Sequence, residues 1–410
     1  MSEQTLAPGA TREPAGSAAG RPGRTWQSFV KPVLIGVVLL FLLVFPLYFD
    51  AFWLRTGFAV AGAIVGAIGL NLLVGNTGQL SLAHGFFLAV GAVSYTYLSG
   101  TEGGFGDTTV SGLGWPPIVG MVLAVLITGL AGLIFSPIAG RLRGIYLGVA
   151  SLGLVFIGQH VLNSWTSVTG GFNGRSVPDF TLFGFSFGSA DPEFSVLGVP
   201  YREAERLWYL GLVLALGAFV VARNILRSRP GRALETLRDS EVAASVMGVN
   251  VQAYKARAFL VSSMYAGLSG VMYALSIGSI APESFGLFVS IQYLAMIVLG
   301  GLGSVGGAAL GAIFVAGLPL VFQRYADILP LVGGAGGGLA AGEAARYLYG
   351  LAIILVIMFE PAGLAGFAQR FRRRRHRPGG KTTRPPLDRS STSGQSTNVS
   401  ERPAQGSDPA

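Results

Sequence analysis

Long apolar runs separated by short polar breaks dominate the chain from about residue 32 to 360. Taking each run of roughly 20 apolar residues as one crossing helix predicts spans at 32–49, 53–73, 82–98, 117–138, 145–163, 207–225, 258–277, 290–300, 305–322 and 346–360. That is about ten. Two are short, so 290–322 reads either as two helices or as one broken, re-entrant element, and eight or nine crossings stay open. The deepest polar interruption runs from Arg227 to Arg257 and carries Arg227, Arg229, Arg232, Arg238, Lys255 and Arg257. It cannot lie in lipid, because a basic side chain at the bilayer centre costs at least ~2.5 kcal/mol. Within it Ala233, Leu234, Leu237, Ala244 and Met247 recur at spacings of three and four, with Arg232, Arg238, Asp239 and Glu241 mostly on other faces. This pattern predicts one short amphipathic helix that stops near Gly248 in a left-handed conformation.

Two Gly-rich junctions interrupt the apolar pattern in the same way, Leu72-Leu-Val-Gly-Asn-Thr-Gly-Gln79 and Ile297-Val-Leu-Gly-Gly-Leu-Gly-Ser304. Unwound backbone at membrane depth is tolerated only where protein or a wet cavity satisfies it, so paired interruptions point to a midplane site and a weak internal repeat. Tight turns between spans are the other reading. Around the first junction Asn71, Asn76, Thr77, Gln79, Ser81 and His84 offer amide, hydroxyl and imidazole groups without a fixed charge. Such groups either cross-link helices or line a solvated path. With Gly300, Gly303 and Ser304 of the second junction, Asn71, Asn76, Gln79, Ser81 and His84 form the candidate translocation pathway. Small residues at four-residue spacing, Gly62 and Gly66, Ala266, Gly270 and Ala274, and Gly303, Gly307 and Gly311, mark close helix contacts.

Charge then sets the expected orientation. The 227–257 loop, the Arg141–Arg143 break and both ends of the chain fall on one side, the cytoplasm by the positive-inside rule, while 100–115 carries no Lys or Arg and falls outside. The outer loop 164–205, rich in Gly, Pro and aromatic residues, reads as irregular structure able to meet another protein or as a plain connector. Residues 1–31 lack periodicity and are expected to be disordered, and they are not read as a cleavable signal. Of the net charge of +9, residues 370–410 supply ten basic and three acidic groups, 10 − 3 = +7, so the basicity is mostly local. Arg370, Arg372 to Arg375 and Arg377 fit the anionic surface of a lipid bilayer. A nucleic-acid partner is not expected, because no folded module or aromatic interleaving accompanies them.

Composition agrees: 51% hydrophobic, 12% charged, mean hydropathy +0.57, against about 25% charged in soluble domains. Cysteine is absent, which removes disulfides and thiolate metal sites. No paired carboxylates or metal-ligand spacing appear, and Gly380-Lys381-Thr382 lacks the first glycine of a phosphate-binding loop, Arg375 standing in its place. Neither catalysis nor a nucleotide site is expected on this chain, so uphill transport would need a partner or an ion gradient.

Glu241-Val-Ala243-Ala244 followed by Gly248 resembles the EAA…G coupling loop of ABC-importer permeases. The chain from 231 to 274, Gly69 to His84, Leu142-Arg-Gly-Ile-Tyr146, Leu299 to Ser304 and Phe359 to Gly366 together resemble the LivM family of branched-chain amino acid permeases, over roughly 52–368. In that family the residue before the first of these His positions is commonly Gly, and here it is Ala83. The resemblance implies an all-α polytopic membrane protein of eight to ten helices with a cytoplasmic coupling helix. It implies a permease domain over 32–368, flanked by the N-terminal tail and a disordered basic tail at 369–410. It also implies a bacterial cytoplasmic membrane, a LivH-like second permease, ATP-binding cassette ATPase subunits that use the ATP, and an extracytoplasmic solute-binding protein. No cofactor is expected on this chain. Arg232, Arg238, Asp239, Glu241, Ala243, Ala244 and Gly248 become the residues that meet the ATPase. The implied cargo is Leu, Ile or Val, with urea, short amides, aromatic acids or other amino acids as alternatives. An ion-coupled transporter or channel working alone is the rival class, but it calls for buried acidic ligands, and the proposed spans hold almost none apart from Glu360.

Overall fold

The computed structural model describes residues 27–105, 108–142, 144–188, 195–196, 199–325, 347, 350–351, 353–355, 358 and 363–366. The 369–410 tail, most of the N-terminal tail and most of the expected span at 346–360 lie outside the described residues. Two compact units divide at residue 368, and only the first is described.

The apolar runs fold as helices: α1 (Gln27–Val44), α2 (Ala51–Leu70), α3 (His84–Ser99), α4 (Pro117–Arg141), α5 (Ile145–Ser164), a single turn α6 (Thr166–Thr169) and α7 (Glu203–Arg227). After the polar α8 (Arg229–Asp239) and α9 (Glu241–Val246) come α10 (Val251–Ile277), α11 (Leu287–Gly300) and α12 (Val305–Tyr325). Among the described residues seven helical stretches are long and apolar enough to cross a membrane, from α2, α4, α5, α7, α10, α11 with its preceding 3-10 turn, and α12. Two shorter helices accompany them. The expected span at 82–98 begins only at His84, and its 16 residues extend about 24 Å at ~1.5 Å per residue, because the backbone before it is not helical. The expected 290–322 element is two helices separated by a short break, and the first begins at Leu287 behind a 3-10 turn at Pro282–Phe285.

Most of α2 and α10 is buried, whereas less than half of each other long span is. These two helices pack on each other and carry α3, α4, α7, α11 and α12 around them. Their small residues make the approach possible: a Cβ at Gly91 of α3 would strike the Gly267 backbone of α10, and one at Gly300 of α11 would strike the Gly307 backbone of α12. The small-residue spacing seen in the sequence thus serves packing inside this chain. The first helix is anchored at its end, where Trp208 Nε1 donates to Leu42 O at 3.0 Å, the Tyr209 hydroxyl donates to Leu43 O at 2.9 Å, and Phe45 stacks on Trp208 at 4.7 Å.

Between α5 and α7 the chain is knit by short hydrogen-bonded pairs, and Arg175–Ser176 pairs antiparallel with Ser279–Ile280 after α10. Arg175 is buried and braces the strap by donating to Val168 O at 2.6 Å and Ser111 O at 3.0 Å. Burial pulls its guanidinium below the ordinary value, partly offset by Tyr97. A two-residue turn leaves Phe183 fully exposed at φ 48°.

The polar interruption departs from the single amphipathic helix expected of it. It breaks at Ser240, whose hydroxyl accepts the Ala243 N–H at 3.2 Å and starts a new helix. Leu234, Leu237 and Ala244 are buried as expected, but Met247 is exposed, because α9 ends at Val246 and Met247 sits in the turn into Gly248. Gly248 does end the helix at φ 80°, and the Val249 N–H returns to Ala244 O at 3.0 Å.

Candidate functional site

The two Gly-rich junctions meet. After Leu70, α2 widens into a π turn over Asn71–Gly75, a local defect of the kind that collects at functional sites. The chain then leaves helical geometry, with Gly78 at φ 70° and the Thr77 hydroxyl bonded back to Leu73 O at 2.6 Å, and becomes helical again at His84. On the other side α11 stops at Gly300, Gly301 and Gly303 adopt φ 107° and 81°, and the Ser304 hydroxyl accepts the Gly307 N–H at 3.1 Å to start α12. Asn71 Oδ1 accepts the Gly303 N–H at 2.9 Å and joins the two breaks directly. The start of α3 is held from two sides: the Leu82 N–H donates to Ser151 Oγ and the Gly85 N–H to Ser290 Oγ, both at 2.8 Å.

Asn71, Asn76, Gln79, Ser81 and His84 are all buried, as is Gly300, and Gly303 and Ser304 are half-buried. Asn71 Nδ2, Asn76 Oδ1, both polar ends of Gln79 and His84 Nε2 have no protein partner. A buried polar atom left unpaired costs ~1–3 kcal/mol, so this concentration of orphans marks a place where water, solute or another conformation supplies the missing bonds. The His84 ring packs on Tyr293 at 4.7 Å. The Tyr293 hydroxyl in turn meets Ser269 Oγ at 2.9 Å, and Ser269 donates to Gly62 O at 2.7 Å. Tyr293 also walls a cavity of about 310 Å³ between α2, α10, α11 and α12, with Gln292, Tyr273 and Ser276 as its other polar side chains.

The residues assigned to the ATPase face separate into three groups. Arg232, Asp239 and Ala243 are exposed, and Gly248 has open space around it. Ala244 is buried. Glu241, half-buried, and Arg238, still exposed, turn back on their own chain: Glu241 Oε1 lies 2.6 Å from Lys255 Nζ, and Arg238 Nη1 donates to Gly75 O at 2.8 Å. Sequence reasoning missed Lys255 as a partner because a buried lysine near the start of a span has no local signal. It also missed an apolar patch at the surface, Val242, Val246 and Met247, all more than two-thirds exposed.

Taken together, a bundle of apolar spans, a polar defect where two spans break, and a polar helix pair outside the spans define a multi-span membrane protein of the transporter type. The chain belongs to the branched-chain amino acid transport system / permease component family, whose model matches residues 54–358. It is 36% identical over 264 residues to the high-affinity branched-chain amino acid transport system permease protein LivM of Escherichia coli, covering 62% of this chain and 59% of that protein. The permease protein BraD of the corresponding system in Pseudomonas aeruginosa is 25% identical over 317 residues, 73% of this chain and 90% of that one. LivH of Escherichia coli is 25% identical over 256 residues, 61% and 78%. The chain thus spans less than two thirds of the length of the LivM relatives it matches. No solved structure matches it.

Proposed function

We propose that this chain is a membrane-spanning subunit of an ABC importer in a bacterial cytoplasmic membrane, moving branched-chain amino acids or a related small solute with ATP hydrolysed by partner subunits. The observation that carries the reading is the patch of Val242, Val246 and Met247 on α9. It lies outside the apolar spans, so lipid does not account for it, and exposed apolar side chains clustered on a polar segment mark a protein contact. Its position beside Ala243, in the stretch that resembles the EAA…G loop, fits an ATPase subunit as the occupant.

The remaining partners follow from the same reading. The chain is similar both to LivM and to LivH of one organism, which supports a heteromeric pair of homologous permeases. The strap after α5, with Phe172 and Phe183 exposed, fits an extracytoplasmic solute-binding protein. A zwitterionic amino acid carries its carboxylate and ammonium together, so uncharged amides such as Asn71, Asn76 and Gln79 suffice to conduct it without a fixed counter-charge. The chain itself performs no chemistry in this scheme, and both termini face the cytoplasm.

Val246→Asp tests the docking face, since it places a charge in the patch without touching the buried side of α9. Co-purification of the ATPase with the membrane subunit should be lost while insertion is retained. Undiminished co-purification would remove α9 as the docking element.

A further inference from the structure

Arg238 is exposed, yet its guanidinium turns back onto its own chain. Its Nη1 donates to Gly75 O at 2.8 Å, the carbonyl of the last residue of the π turn. The same nitrogen stands beside Gly303, where an added Cβ would come within 3.0 Å of it and 3.4 Å of Gly75 O. One side chain from the polar helix therefore touches both breaks at the point where they meet, next to the Asn71–Gly303 hydrogen bond.

What surrounds this contact gives it a direction. α8 is a short helix bounded by breaks at Ser228 and Ser240: Leu234 and Leu237 are buried while Arg232, Glu235, Arg238 and Asp239 are exposed, and it packs on α7 and α10. A rigid helix carrying a long side chain transmits its own displacement to whatever the side chain holds. Behind the contact lie the unpaired atoms Asn71 Nδ2, Asn76 Oδ1 and both ends of Gln79, on side chains no more than 5% exposed. Groups so costly to leave unpaired are satisfied if the two junctions part and admit water or solute. In the present arrangement the junctions are closed on them.

We propose that Arg238 bolts a gate: it holds the π turn of α2 against the α11–α12 junction, and movement of α8 withdraws it and opens the polar path. Arg238 is then a positioning residue that acts through Gly75 and Gly303. The source of the movement rests on the reading under Proposed function; the bolt itself rests on the geometry of this chain.

The test uses the full complex with its ATPase and permease partners in proteoliposomes. Three quantities are read for wild type, Arg238→Gln, Arg238→Lys and Asn71→Ser: retention of the ATPase, solute moved per ATP hydrolysed, and, in separate samples used for labelling alone, alkylation from the cytoplasmic side of a single cysteine introduced at Gln79. The chain has no native cysteine, so the reporter is unambiguous. Arg238→Gln should keep the ATPase bound yet lower solute per ATP by about tenfold or more, the scale of losing a charge-assisted bond, and the cysteine should react faster without ATP. Arg238→Lys should recover part of the coupling, because it keeps the charge but not the forked geometry. Asn71→Ser should repeat the uncoupling from the opposite side of the contact, and it decides the question if Arg238→Gln fails to insert. Loss of ATPase retention in proportion to transport would make Arg238 a docking residue and overturn the proposal, as would an unchanged solute-to-ATP ratio and an unchanged cysteine. A wild-type complex that binds no ATPase and moves nothing with ATP would instead overturn the permease reading, before any variant is compared.

Discussion

Replacing Glu241 by Ala leaves Lys255 charged and only 2% exposed, without the carboxylate that now lies 2.6 Å away. Removing one member of a fully buried pair costs ~3–5 kcal/mol. Glu241 keeps 27% of its side-chain surface in solvent, so water reaches the pair and the cost falls to an estimated ~2–4 kcal/mol. The chain does not unfold globally for that, because the penalty is relieved by releasing α9, a six-residue helix with Ala244 as its one buried side chain. At a factor of ten per ~1.4 kcal/mol, the opening equilibrium of α9 rises by roughly 30- to 700-fold. Hydrogen exchange at the amides of Ala244, Met247 and Val249, which are bonded to Ser240, Ala243 and Ala244, reads that equilibrium directly. The double variant Glu241→Ala with Lys255→Met removes both charges and should return exchange to within about tenfold of wild type. Full recovery is not expected, since an acidic residue in the first turn also contributes ~0.3–1 kcal/mol. Unchanged exchange in the single variant, or a double variant no better than the single, would refute the reasoning and return Glu241 to a role at the partner surface.

Other consequences are open to measurement. Gln79→Leu or Asn76→Leu removes polar lining without adding charge and should impair uptake with little loss of inserted protein; wild-type uptake in both would make the cluster structural. Cysteine at Ser245 should resist an impermeant thiol reagent in intact cells while cysteine at Ser167 labels, and outside labelling of Ser245 would invert the orientation. Phe183→Ser deletes an exposed ring from the outer strap and should weaken stimulation of ATP hydrolysis by the solute-binding protein, leaving basal hydrolysis intact; equal stimulation would place that partner elsewhere. Gly248→Ala meets no neighbour, so its cost is backbone strain of ~1 kcal/mol alone, seen as a modest rise in α9 exchange; a large rise would mean that the turn does more than end the helix.

The spans were legible because a crossing helix is a property of twenty neighbouring residues, and composition carries it without tertiary knowledge. The paired glycine junctions were legible for the same reason, since a helix break is local, and their contact through Asn71 and Gly303 gives the resemblance between them a physical content. The break at Ser240 was not, because helical spacing continues across it and only the hydroxyl's choice of the Ala243 N–H ends the helix there. Nor were the destinations of Glu241 and Arg238. In an amphipathic segment a charge is assigned to solvent by default, whereas the partners that recruit these two, Lys255 and Gly75 O, are set by how α8 and α9 sit against spans far away in sequence. Met247 was misplaced because the helix has already ended at Val246.

Transport by the reconstituted assembly tests the account most directly. Radiolabelled leucine uptake is measured in proteoliposomes carrying this chain with its ATPase, second permease and solute-binding protein, with and without ATP on the side of the ATPase, and under an imposed ion gradient. ATP should drive accumulation, the chain alone should move nothing, and the gradient should add nothing. Accumulation by the chain alone under the ion gradient, indifferent to ATP, would contradict the account.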